Sequence, residues 1–241
     1  SQAFEVAAEV PLDDGVKHLL FGTFDSANFL SGEDKLESAV LVRDEAGAPT
    51  LLGDRQASLV VIVPKCIDTA PAPLPVIMLG HGVFGAAAGF LEDRLFQSVA
   101  ERYCVILVAT DYNGLAERQI PLVPLIVNDL NRTPAITDKI PQGVIDFIAL
   151  EHLVRGNLGT SPYLQRDKAS MIDTSQVYYL GGSLGGTMGH VFMAYDPHVM
   201  RATLGVAGGM WSMLLERSNA WILLQGTARA AYATQYEYQL L

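Results

Sequence analysis

The run from Val177 to Tyr195 constrains the chain most. A strand-like stretch, Val177-Tyr178-Tyr179-Leu180, meets Gly181-Gly182-Ser183-Leu184-Gly185, and an apolar helix-like stretch follows from Thr187 to Tyr195. A serine on so tight a strand-to-helix turn is driven into a strained backbone conformation with its hydroxyl exposed. Small residues two positions away on either side, Gly181 and Gly185, are required because larger side chains would strike neighbouring elements. The geometry would hold Ser183 Oγ above a sheet, ready to attack a carbonyl. The same letters are also compatible with a flexible glycine-rich strand exit.

A second strand-and-turn separates these readings. Pro75 to Leu79 is a short apolar run, and Gly80-His81-Gly82-Val83-Phe84-Gly85 follows it. This segment resembles the oxyanion-hole loop of lipases and esterases in the α/β-hydrolase family, and with Ser183 it extends the resemblance over roughly residues 39–210 at motif level. The resemblance implies a mostly parallel α/β-hydrolase sheet with helices on both faces, incomplete at its C-terminal end. It implies cleavage of carboxylic esters, small-molecule or lipid, through an acyl-enzyme on Ser183. The oxyanion would accept hydrogen bonds from the main-chain amides of Val83 and Leu184. The side chains of Val83 and Phe84 would be free to line an acyl pocket, and His81 would shape the loop instead of acting as a base.

Gly80-x-Gly82-x-x-Gly85 is at the same time a literal dinucleotide fingerprint. A helix-like stretch (Phe90 to Arg102), a strand (Val105 to Thr110) and an acid (Asp111) follow it, as a Rossmann unit requires. Against that oxidoreductase reading stand its position well into the chain, a spacing to Asp111 longer than about 20 residues, and the unexplained Ser183. A catalytically silent hydrolase-fold binding module is the other alternative.

Composition narrows the classes. Of 241 residues 50% are hydrophobic and 17% charged, which describes a globular chain able to bury a core. A net charge of -10, with no clustering of Lys or Arg, argues against nucleic acid as a partner. No apolar run approaches the roughly 20 residues of a membrane helix. No His or Cys cluster has ligand spacing, so neither metal nor cofactor is expected. The start at Ser1-Gln2-Ala3 fits a processed secreted or periplasmic protein or a trimmed chain. In the hydrolase fold the antiparallel second strand lies beside the fourth. This implies that Cys66, after the Ser58–Val63 run, meets Cys104 before Val105 in a disulfide; two buried free thiols are the alternative.

The whole length reads as one domain: an N-terminal extension over 1–35, a core over 36–210, and over 211–241 the start of a lid or a cut helix. Phe21, Phe24 and Phe29 are expected to cover one edge of the core. Strands are predicted at Ala39–Val42, Ser58–Val63, Val76–Leu79, Val105–Ala109, Val177–Leu180 and Thr203–Val206, the last four as buried parallel strands. A helix is predicted from Phe90 to Tyr103 with Leu91, Leu95, Val99 and Tyr103 as its apolar stripe, and another from Val144 to Val154 with Ile145, Ile148, Ala149 and His152 on one face. His152 reads as a satisfied helix histidine. Two apolar segments, Ile120–Val127, whose prolines argue against an ordinary helix, and Met210–Leu215 with Trp211, would form an acyl-binding wall or lid, or pack under an insertion. Phe84 and Trp211 are the candidate substrate contacts.

The base and its acid are missing. In this family the order is Ser, then Asp or Glu, then His. After Ser183 come only His190, His198, Asp196 and Glu216 as candidates, and none suits: His190 lies about two turns into the helix and His198 at its far end. The expectation is that Asp and His reside on a second polypeptide that completes fold and triad, consistent with the uncapped run Tyr236 to Leu241.

Overall fold

Residues 2–10 and 16–209, with isolated positions between 222 and 237, are described by a computed structural model. Nine strands occur among them: β1 Phe4–Val10, β2 His18–Ala27, β3 Asp54–Val63, β4 Leu74–Gly80, β5 Ile106–Ala109, β6 Gln165–Arg166, β7 Ala169–Ser170, β8 Ile172–Gly182 and β9 Ala202–Gly205. The α-helices are α1 Gly89–Glu92, α2 Arg94–Tyr103, α3 Val123–Asn128, α4 Pro134–Thr137, α5 Ile140–Arg155 and α6 Leu184–Tyr195. A seven-stranded sheet runs in the order β1-β2-β3-β5-β4-β8-β9, and β6 and β7 form a small separate hairpin. The pairings β5–β4, β4–β8 and β8–β9 are parallel, whereas β1–β2, β2–β3 and β3–β5 are antiparallel. Strands β2, β4, β5, β8 and β9 therefore point one way, and β1 and β3 the other. The mostly parallel sheet expected from the sequence is present.

Buried strands explain the continuous apolar runs. Along β3, Leu59, Val61 and Val63 enter one core, while Val60 and Ile62 enter the other. Successive side chains leave a strand on opposite faces, so a strand covered on both sides must be apolar at every position. One face packs against α5 and α6 through Phe147, Leu150, Val154, Met188 and Phe192. The opposite face packs against Leu91 of α1 and Ala100 of α2. Each such large side chain, fully buried, contributes about 1.5–3 kcal/mol.

Several sequence expectations need correction. Ala39–Val42 is not a strand: Leu41 makes an isolated bridge with Leu30, and its amide donates to Asp138 Oδ2 at 3.2 Å. Ala39 and Leu41 are buried and Val40 and Val42 half-buried, and the bonds from the Ser31 amide to Val40 O and from the Val42 amide to Phe29 O tie the segment to residues 29–31 and not to the main sheet. Residues before 35 supply two sheet strands, β1 and β2. The expected helix from Phe90 breaks at Asp93, whose carboxylate caps α2 by accepting from the Leu95 amide. That break resets the helical phase, so Leu95 and Tyr103 are exposed and Ala100 is buried. Helix α5 buries Val144, Phe147, Leu150, Leu153 and Val154 and leaves His152 exposed, so its core face is not the one through Ile145 and Ile148. The segment after Ile120 does form helix α3, because Pro124 falls in its first turn, where an amide would have no intrahelical partner.

Cys66 and Cys104 are joined in a disulfide. The antiparallel pairing of Ile62 with Leu107 brings the end of β3 to the start of β5, as the resemblance implied. Among the described residues no helix is long and apolar enough to cross a membrane.

Candidate active site

Strands β4 and β8 are parallel neighbours, with Gly80 opposite Gly181. The turns that leave them, 80–85 and 181–185, therefore emerge side by side at the carboxyl edge of the sheet, where open α/β sheets bind ligands. Ser183 caps α6 with φ 55° and ψ -117°, in the left-handed half of backbone space that a non-glycine residue adopts only under constraint. Its amide donates to Gly205 O at 2.9 Å, and its carbonyl accepts from the Thr187 amide at 3.0 Å. The residue is exposed. Among the described residues no side chain bonds its hydroxyl.

The glycines around it are dictated by contact. A Cβ at position 185 would stand 2.1 Å from Gly80 O, and one at 181 would stand 2.3 Å from Gly185 O. A Cβ at position 80 would meet the Tyr179 hydroxyl at 2.0 Å. That hydroxyl donates to Gly185 O at 2.6 Å and is 2.8 Å from the Tyr112 hydroxyl, which therefore donates to it. Tyr112 also stacks on Phe147 at 4.0 Å between ring centroids. Burial raises the pKa of both phenols above the ordinary tyrosine range, so both remain protonated donors. A buried phenol chain thus forms the floor on which the two turns rest.

The 80–85 loop is held by main-chain bonds. Phe84, at φ 54°, donates to Leu115 O at 2.8 Å, and the Gly85 amide donates to Gly82 O at 3.0 Å. His81 is buried, with Nδ1 2.7 Å from Gly82 O, and Nε2 accepts from the Tyr112 amide at 2.8 Å. Nδ1 therefore carries the proton, both ring nitrogens are engaged by backbone, and burial lowers the pKa below its ordinary value. The amides of Val83 and Leu184 donate to no acceptor among the described residues. Val83 is exposed, while Phe84 is half-buried against the larger core. Trp211 and the Met210–Leu215 segment lie outside the described residues.

The other histidines lie elsewhere. His18, on β2, is paired with Val63 at the opposite end of the sheet and contacts Glu9. His152 lies in the last turns of α5, His198 just beyond the C-terminal end of α6, and His190 within α6. Asp111 accepts from the Ala87 amide at 2.6 Å and pairs with Arg118, so the acid of the fingerprint already has partners. After Gly85 the chain makes a parallel bridge to Ala116 instead of entering a helix directly.

Sequence reading missed a charged network on the same edge. Asp146 accepts from Arg55 at 2.5 Å, Ser26 at 2.7 Å and Asn113 at 2.7 Å, while Arg118 reaches Asp34 at 3.0 Å and Asn113 at 2.6 Å. Its members come from distant segments, so no local pattern announces it. Beside it opens a cleft of about 520 Å³ lined by Phe21, Thr23, Asp34, Arg55 and Arg118 among others. Ser183 is not in that lining, so the cleft is not the space above the hydroxyl.

No protein-family model matches the chain, and no curated protein matches it in sequence. Among solved structures it is similar to the acetyl xylan esterase from Paenibacillus sp. R4, at 15% identity and TM-score 0.50, over 99% of this chain and 65% of that one. It is also similar to acetyl xylan esterase 1 from Thermoanaerobacterium sp. JW/SL YS485, at 13% identity and TM-score 0.51, over 99% of this chain and 64% of that one. The chain thus spans somewhat less than two thirds of the length of these structures. At such identities the likeness concerns the fold, and the fold is that of the α/β-hydrolases.

Proposed function

We propose that this chain carries the nucleophile of a serine ester hydrolase, with Ser183 attacking the carbonyl carbon of a carboxylic ester. The supporting observation is the exposed Ser183, held at φ 55° on a strand-to-helix turn that packs against the 80–85 loop. In this reading the hydroxyl proton passes to a general base as the Oγ–C bond forms. The carbonyl oxygen, now negative, accepts from the amides of Val83 and Leu184. Each such donor lowers the barrier by about 3 kcal/mol. Collapse expels the alcohol, which takes the proton, and water then cleaves the acyl-enzyme by the same steps in reverse order.

The base and its carboxylate are supplied by polypeptide outside these 241 residues, on our reading a second chain. Supporting this, His18, His152 and His198 lie away from the carboxyl edge, His190 is down α6, and both nitrogens of His81 are engaged. Phe84 and Trp211 are proposed as acyl contacts. The names of the structurally similar esterases make acetyl esters the first substrates to try. The disulfide supports a secreted or periplasmic location, since such bonds persist in oxidising compartments.

A fluorophosphonate probe tests the proposal: Ser183 should be labelled in the complete assembly and Ser183→Ala should not, with loss of acetyl ester turnover. The lack of a free histidine near Ser183 among the described residues favours a second reading, a silent binding module. An assembly that binds esters yet leaves Ser183 unlabelled would establish that reading instead.

A further inference from the structure

At the end of the sheet opposite Ser183, three side chains converge that neither the fold nor the proposed chemistry uses. Glu151, in the last turns of α5, is fully buried. One of its oxygens, Oε1, is taken by Arg155 Nε, but Oε2 has no hydrogen-bond partner. A buried, unpaired carboxylate oxygen costs several kcal/mol unless something positive meets it. Oε2 faces two imidazoles: His198 Nδ1 at 3.5 Å and His152 Nε2 at 3.8 Å, and the three atoms all lie within 4.8 Å of one another.

Those separations are too long for hydrogen bonds. The two distances to Oε2 are close to what a shared ion would impose, because two ligands bound at about 2.1 Å with a tetrahedral angle stand about 3.4 Å apart. Both histidines are about half exposed, so their rings can turn to close the remaining gaps, a few tenths of an ångström to Oε2 and at most about 1.4 Å between the two ring nitrogens, and leave one position open to solvent. Two neutral imidazoles and a carboxylate suit a divalent transition metal, zinc above all, and do not suit calcium or magnesium. The surroundings already orient the ligands. Arg155 holds Glu151 through Oε1, donates to His198 O at 3.1 Å and to Thr174 O at 2.6 Å, so one guanidinium fixes both elements of the cluster.

We infer that Glu151, His152 and His198 form a zinc site that clips the C-terminal end of α5 to the segment following α6. Helix α6 has 12 residues, which at 1.5 Å each puts the site about 18 Å or more from Ser183. The ion therefore acts on stability and not on ester chemistry.

Titration calorimetry of the full chain with zinc chloride, after chelation and dialysis, tests this. The expected result is one zinc per chain, with affinity reduced at least about tenfold in His198→Ala and in His152→Ala. His190→Ala, exposed on α6 but outside the cluster, should bind like the parent. Cobalt should give the intense visible absorption of a four-coordinate ion, lost in His198→Ala. Both replaced histidines lie at the surface, so loss of binding with an unchanged circular dichroism spectrum reports the site itself. Zinc affinity unchanged in both variants, or no uptake by the parent at sub-millimolar zinc, overturns the assignment.

Discussion

Replacing Gly185 by Ala tests whether main-chain contact builds the site. The new Cβ would stand 2.1 Å from Gly80 O, 2.5 Å from Gly80 C and 3.0 Å from Gly80 Cα, all backbone atoms of β4. Ordinary contact needs about 3.4 Å, so roughly 1.3 Å must be recovered by moving α6 or the end of β4. No flexible side chain can swing aside, and β4 is bonded on both edges, to β5 and β8. Overpacking of this kind costs about 1–3 kcal/mol, and rigid surroundings put it near 3. Alanine regains about 1 kcal/mol through helix propensity. The net loss is about 2 kcal/mol, which for a chain of this size lowers the melting temperature by about 4–8 °C. Thermal unfolding followed by circular dichroism reads the shift. Gly182→Ala is the control, because a Cβ there meets nothing within 4 Å and should change stability by less than about 0.5 kcal/mol. Equal melting of Gly185→Ala and the parent would refute the argument that contact with Gly80 dictates glycine at this turn.

Ser183→Gly should abolish labelling yet stabilise the fold by about 1 kcal/mol, since it releases φ strain of about 1–3 kcal/mol against a smaller entropic cost; chemical denaturation that finds it less stable contradicts the strain. Removing the disulfide by Cys66→Ser with Cys104→Ser frees a loop of 38 residues and should cost about 4 kcal/mol by loop entropy, read from denaturant midpoints. Because burial lowers the pKa of His81 from 6.5, the unfolded chain binds the proton more readily, so stability is complete above pH 6.5 and falls below it. His81→Gln should flatten that acid-side slope in melts taken from pH 7 to 5, and an unaltered slope would assign it to other groups.

What the sequence made legible were features enforced by contact or by burial on two faces. Gly181 and Gly185 are fixed by atoms within 3 Å, and the runs at β3, β4 and β5 are apolar because both faces are covered, whereas β9, expected to be buried as well, is an edge strand among the described residues with Ala202 and Thr203 exposed. Legibility failed where one constraint masked another. Strands β1 and β2 break their apolar residues into runs of at most three with Glu5 and Glu9, or with Gly22, Thr23 and Asp25, so no long apolar run marks them. A Phe90–Tyr103 stripe in a single phase fails because Asp93 starts a new helix. Pro124 looked like a breaker but occupies a first turn. The Asp146 and Asp34 ion pairs, and the Glu151, His152 and His198 cluster, join residues far apart in the chain, which no local periodicity can reveal.

The bridge between Cys66 and Cys104 lies at the amino edge of β5, whereas Ser183 follows the carboxyl end of β8. The covalent tie and the proposed nucleophile are thereby placed at opposite poles of the sheet. Reducing conditions should shorten how long a population of molecules survives, while, on the proposed reading, Ser183 in every molecule still folded should react with the probe as before.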